Sequence, residues 1–217
     1  DHRIIEAMAN IARETFVPES RRAVAYMDDD VPLDETGHGR ANRFLIEAMA
    51  FARLVHLAEI RPDDVILHVG AGTGYGSAVL SRIGSRVTAL ESDAGLVAKA
   101  RSALGAIGNV KVVDGALADG CKAEGPFDVI VVEGRVEEVP AALLAQLAEG
   151  GRLVAVIGEN EVARATVYTR SGTTMARRAA FDGQQEDVGV AVVLGAERNL
   201  SPVRRERRFG LYAVVRR

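Results

Sequence analysis

The segment Val65-Ile-Leu-His-Val-Gly-Ala-Gly-Thr-Gly-Tyr75 constrains this chain more than any other, together with the later run Arg86-Val-Thr-Ala-Leu-Glu91. An apolar strand that enters Gly70-x-Gly72-x-Gly74 and continues as a helix forms a loop that a ligand can approach closely. Glycine reaches positive φ and carries no Cβ to hold a ligand away. The following helix presents free N–H groups and a partial positive charge at its N-terminus. Glu91 ends the next strand, where a carboxylate can accept hydrogen bonds from both hydroxyls of a ribose. This combination points to a cofactor of nucleotide type.

Around that unit the chain alternates apolar runs and helical patterns. Strands are expected at 64–69, 85–90, 109–113, 127–132 and 151–157, with continuous apolar character that suits a parallel sheet buried on both faces. Helices fit 74–83, 94–105 and 138–147. Upstream, helices are expected at 3–15, in a short stretch after Pro18, and over about 41–60. After residue 158 the pattern turns to β-formers at 161–169, 173–181, 188–194 and 208–215, which implies an antiparallel end to the sheet. The expected architecture is α/β: a Rossmann-like, mostly parallel sheet with antiparallel C-terminal strands and an N-terminal helical cap. A single domain covers 1–217, with a cap and substrate region at 1–60, a cofactor-binding core at 61–157 and the antiparallel strands at 158–217.

Dinucleotides and S-adenosylmethionine both use a strand–glycine loop–helix–strand–acid unit. The dinucleotide fingerprint requires G-x-G-x-x-G, whereas this chain has G-x-G-x-G at Gly70, Gly72 and Gly74. A dinucleotide enzyme also needs a second mononucleotide half, and here the pattern turns antiparallel instead. Asp114-Gly115 ends the third strand of the unit, where an acid can accept from an adenine amino group. Glu133 ends the fourth, at the crevice expected where strand order reverses. S-adenosylmethionine is the favoured cofactor, with a dinucleotide as the alternative.

Several further segments carry a resemblance to a known family. They are Phe16-Val-Pro-Glu, Ala25-Tyr-x-Asp28, Val31-Pro-Leu, Asp64 to Tyr75, Val110-x-Val-Val-Asp-Gly115, Pro126-Phe-Asp-Val-Ile-Val-Val, Val139-Pro-x-x-Leu-Leu-x-Gln-Leu147 and Gly150-Gly-Arg-Leu-Val154. Over residues 3 to about 157 the chain resembles the protein-L-isoaspartate O-methyltransferases. The resemblance implies an S-adenosylmethionine-dependent O-methyltransferase that acts on a carboxylate of damaged protein. Its partner would be a protein or peptide with an isoaspartyl residue. Gly70, Ala71, Gly72, Thr73 and Gly74 would line the cofactor pocket. Glu91 would hold the ribose with Ser92 beside it, Asp114, Gly115 and Ala116 would face the adenine, and Glu133 would border the same crevice.

Two positions depart from that family. His68 stands where an acid is usual. The family's Thr-Ile-Ser-Gln-Pro stretch falls on Phe44-Leu-Ile-Glu-Ala48, which puts Ile46 in place of its serine. Arg40 and Arg43 stand just before it, in the segment where the family recognises substrate, and are the candidates for placing an acceptor carboxylate, since guanidinium binds carboxylate bidentately. Solvated arginines at a helix start are the plainer reading. Glu133 would repel an anionic acceptor and suits a cationic or hydroxyl-bearing one on the same fold. A protein that binds the cofactor or a partner without turnover is a further alternative.

Composition narrows the partners. The net charge of −3 argues against general nucleic-acid binding. Residues 197–217 hold seven arginines against Glu197 and Glu206, which reads as a solvated tail or as a docking patch for an acidic partner. Cys121, the single cysteine, excludes an intrachain disulfide and fits a reducing cytoplasm. The four histidines show no metal-ligand spacing. No run reaches transmembrane length, and no signal peptide is visible. The start at Asp1 fits removal of a leader or of a disordered N-terminus.

Overall fold

Five apolar runs form the centre of the molecule. The computed structural model describes residues 1–33, 43–158 and 163–180. In chain order these residues form α1 (His2–Ala9), β1 (Val31–Pro32), β2 (Phe44–Leu45), α2 (Ala48–Leu57), β3 (Val65–Val69), α3 (Tyr75–Leu80) and β4 (Arg86–Glu91). Then come α4 (Ala94–Leu104), β5 (Val110–Asp114), β6 (Phe127–Val136), α5 (Ala141–Leu144), β7 (Leu147–Ile157), β8 (Arg164–Ser171) and β9 (Thr174–Ala179).

The large sheet has the order β5-β4-β3-β6-β7-β8-β9. Strands β3 to β7 are parallel, and β8 and β9 close the sheet antiparallel. The chain winds outward from β3 through β4 to β5, then returns to the other side of β3 with β6. That reversal opens a crevice beyond the carboxyl ends of β3 and β6. One apolar layer joins the cap, through Ile4, Phe16, Leu33, Phe51 and Leu54, to α3 and one face of the sheet. A second layer packs Leu143 of α5 against Phe127, Ile130 and Leu153 on the opposite face.

Helix boundaries differ from the sequence expectation where tertiary contacts compete. The helix expected over 41–60 forms only as α2. Phe44 and Leu45 instead pair with Pro32 and Val31 in a small antiparallel ladder, and Asp30 accepts from the Glu47 backbone N–H at 2.7 Å. The helix expected over 3–15 ends at Ala9, and the chain re-forms as a 3₁₀ turn at Arg13–Phe16. Arg13 explains the break: its side chain is buried and donates to the carbonyls of Ala25 and Ile46. The helix expected over 138–147 shrinks to α5, because Pro140 delays its start and Leu147 already belongs to β7. The strands expected at 188–194 and 208–215, and the arginines of 197–217, lie outside the described residues.

Arg152, in the Gly-Gly-Arg-Leu turn, fastens the cap to the sheet. It donates to the carbonyls of Ala58 and Glu59 just beyond α2, each at 2.6 Å, and meets the Asp64 carboxylate at 2.5 Å.

Candidate active site

The glycine loop lies at the reversal of strand order, as its position after β3 requires. Gly70, Gly72 and Gly74 all have positive φ, at 81°, 56° and 102°. Their backbone is one that other residues adopt only with strain. At Gly74 space is limiting as well: a Cβ would lie 2.7 Å from Leu104 of α4. The loop therefore needs this glycine for its seat against α4, in addition to any ligand contact. Gly70 and Ala71 donate backbone hydrogen bonds to the Leu90 carbonyl at 2.9 and 3.1 Å, which ties the loop to β4. The Thr73 hydroxyl donates to the Phe16 carbonyl at 2.6 Å and fastens the loop to the cap.

Glu91 is fully buried at the end of β4, yet its carboxylate is well supplied with donors. Oε2 accepts from the Gly72 N–H at 2.9 Å, and Oε1 accepts from the backbone N–H groups of Ser92 at 2.7 Å and Asp93 at 3.0 Å. Arg43 adds a fourth donor: its Nη2 lies 2.8 Å from Oε1 and 3.0 Å from the Ser92 hydroxyl. Its other terminal nitrogen, Nη1, is buried with no hydrogen-bond partner among the described residues. So Arg43, expected on the acceptor, sits on the carboxylate expected to hold ribose. Arg40 lies outside the described residues.

The remaining cofactor-side candidates follow along the same sheet edge. Asp114 pairs in register with Glu91 at the end of β5 and is exposed. Gly115 donates its N–H to the Glu91 carbonyl at 3.0 Å, and Ala116 leads into the 3₁₀ turn Leu117–Asp119. Ile46, at the position of the family's serine, is buried in the core, so no side-chain donor stands there.

Glu133 does not present itself as a surface acid at the end of the fourth strand. It is only 4% exposed, and its Oε2 lies 2.7 Å from His68 Nε2, an ion-pair distance without hydrogen-bond alignment. The other imidazole nitrogen, Nδ1, is 2.7 Å from the Ser77 hydroxyl. Gly76 makes room for the pair, since a Cβ there would stand 2.4 Å from Glu133 and 2.6 Å from His68. Serine, histidine and acid in line resemble a nucleophile triad. Ser77 is fully buried inside α3, however, so this is a packed polar cluster. The two departures, His68 and Glu133, are partners. A polar residue near the end of each of two adjacent apolar strands was the signal for them. Arg13, Leu33 and Ser77 carried no such signal. Leu33 packs over the loop, 3.1 Å from where a Gly72 Cβ would be.

Comparison with known proteins places this geometry. The model of the protein-L-isoaspartate(D-aspartate) O-methyltransferase family matches residues 1–181. The chain belongs to the protein-L-isoaspartate O-methyltransferase family. A member from Koribacter versatilis is 38% identical over 164 residues, covering 75% of this chain and 71% of its own. One from a Roseiflexus species is 36% identical over 177 residues, covering 81% and 78%. A solved protein-L-isoaspartate O-methyltransferase superposes with a TM-score of 0.74 at 25% identity, covering 85% of this chain and 60% of that one. A Plasmodium falciparum structure in complex with S-adenosyl-L-homocysteine shares the fold, with a TM-score of 0.66 at 20% identity, over 87% of this chain and 90% of that one. Membership of this methyltransferase family makes S-adenosylmethionine the cofactor. The site fits it: a buried carboxylate, fixed by three backbone N–H groups, ends the strand beside a loop of left-handed glycines. No helix among the described residues is long and apolar enough to cross a membrane.

Proposed function

We propose that the protein methylates the free α-carboxylate of isoaspartyl residues in damaged protein or peptide. When bound, S-adenosylmethionine supplies a methyl group activated on a cationic sulfur. In this reading the chain's own residues bind and orient. Glu91 accepts the ribose hydroxyls, Gly70 to Gly74 bring backbone close to the cofactor with Ala71 and Thr73 holding the loop, and Asp114, Gly115 and Ala116 border the adenine, with Ser92 at the rim. An acceptor carboxylate is ionised at neutral pH, so no general base is required. What remains is geometry and the exclusion of water.

The observation that carries this reading is the inward turn of Glu133. An exposed acid at this point of β6 would repel an anionic acceptor; paired with His68, Glu133 leaves the crevice open to one. Burial of Ile46 at the family's serine position favours a second reading, the same methyl transfer to a different small acceptor. Radiolabelled methyl transfer decides between them, with binding of S-adenosylmethionine followed by calorimetry on the same preparation. The expected outcome is binding together with transfer to an isoaspartyl peptide and none to its aspartyl counterpart. Binding without transfer to the peptide would select the second reading.

A further inference from the structure

Lone-pair arithmetic at Glu91 sets a conflict. A carboxylate offers about four acceptor positions, two on each oxygen. Here Oε1 already receives three donors, from Ser92, Asp93 and Arg43, and Oε2 receives one from Gly72. Oε1 thus carries one donor more than it has positions for, and Arg43 Nη2, which also lies 3.0 Å from the Ser92 hydroxyl, covers both residues expected at the ribose. The three backbone donors are fixed by the loop and by the start of α4. Among the described residues Arg43 alone reaches the carboxylate through a side chain, from a position 48 residues away in sequence.

We propose that Arg43 is a built-in competitor of the cofactor's ribose, and that its displacement provides the cation that receives the acceptor carboxylate. This rests on the function proposed above. Among the described residues Arg43 Nη1 is buried without a hydrogen-bond partner, so the guanidinium on Glu91 leaves one arm of its fork unused. Buried donors are normally paired, and an unpaired one costs free energy. A guanidinium that leaves Glu91 can instead take a carboxylate with both arms. The position suits that role, because Arg43 directly precedes β2 and the residues on which the family's Thr-Ile-Ser-Gln-Pro stretch would fall. The Ile46 side chain provides no polar contact there. The exchange couples the two ligands: cofactor binding frees Arg43, and an acceptor that captures Arg43 keeps Glu91 free for ribose. Such coupling is reciprocal in binding free energy.

The test uses the full chain and calorimetry with S-adenosyl-L-homocysteine and an isoaspartyl peptide, so no turnover is needed. Arg43→Ala should bind S-adenosyl-L-homocysteine about tenfold more tightly than the unaltered protein, the scale of one displaced charge-assisted hydrogen bond. In the unaltered protein, saturation with S-adenosyl-L-homocysteine should tighten peptide binding by roughly fivefold or more. In Arg43→Ala that gain should vanish and the peptide should bind more weakly. Arg43→Gln, which keeps the side-chain stem, repeats the measurement if Arg43→Ala folds poorly. Unchanged or weaker S-adenosyl-L-homocysteine binding in the folded variants would overturn the inference. Failure of the unaltered protein to bind S-adenosyl-L-homocysteine would instead remove the function on which it rests.

Discussion

Glu133 and His68 show how two costly residues become tolerable together. Each lies almost wholly out of water, and their facing atoms are 2.7 Å apart. Removing one partner from such a pair leaves the other buried without compensation, a loss of about 3–5 kcal/mol, whereas replacing both by apolar groups is often close to neutral. His68→Leu and Glu133→Leu should therefore each lower stability in urea by about 3 kcal/mol, and the double variant by clearly less than the sum. Additive losses would show that the two side chains do not act as a pair. Ser77 is the third member, and its hydroxyl fixes the ring from the far side. Cys121 illustrates the opposite case. Burial pushes its thiol pKa up, which keeps it protonated and unreactive, in line with a small apolar side chain.

At the scale of elements, the ladder of β1 and β2 is short but anchors the segment from which Arg43 projects. Asp30 stands at its entrance, and burial pushes its pKa up to about 6, helped by the charges of Asp29 and Glu47 and opposed by the Glu47 N–H. An acid whose folded pKa lies above its ordinary value of 3.8 makes folding less favourable as it ionises. That penalty is absent below the ordinary value, grows as pH rises towards about 6 and is complete above it. Asp30→Asn keeps an acceptor for the Glu47 N–H and should stabilise the protein by on the order of 2 kcal/mol near pH 8. Thermal unfolding across pH should show the gap closing towards about pH 4; a constant gap would mean that the charge is not the cause. The same ladder marks the limit of what the sequence discloses. The five parallel strands were legible because burial on both faces leaves continuous apolar runs, and Glu91 because its spacing from Gly74 is set by one helix and one strand. The residues from Phe44 to Glu47 read as helix because their apolar residues suit one. Pairing with Val31 and Pro32, a contact between distant segments, decides otherwise. Arg43 on Glu91 is hidden for the same reason, since nothing local to either residue announces the other.

For the molecule as a whole, the cofactor-side candidates sit on the loop after β3 and at the ends of β4 and β5, with Glu133 one strand away on β6. A ligand that bridges these elements binds the folded state alone and must raise the temperature of unfolding. At a hundredfold excess over its dissociation constant, S-adenosyl-L-homocysteine should add about 2.7 kcal/mol, or roughly 5–10 °C for a chain of this size. Scanning calorimetry would register the shift, and its absence at saturation would place the ligand's contacts outside the cooperative unit. The cap depends on the same unit. Phe16 accepts from Thr73, and the turn beyond α2 is held by Arg152, in the seventh strand along the chain. On the ribosome, however, Ile4, Phe16 and Phe51 emerge long before the strands that cover them. A nascent chain stalled ahead of β7 would expose this apolar surface, the kind that chaperones hold and proteases cut. The cap, made before the strands that cover it, settles only with them.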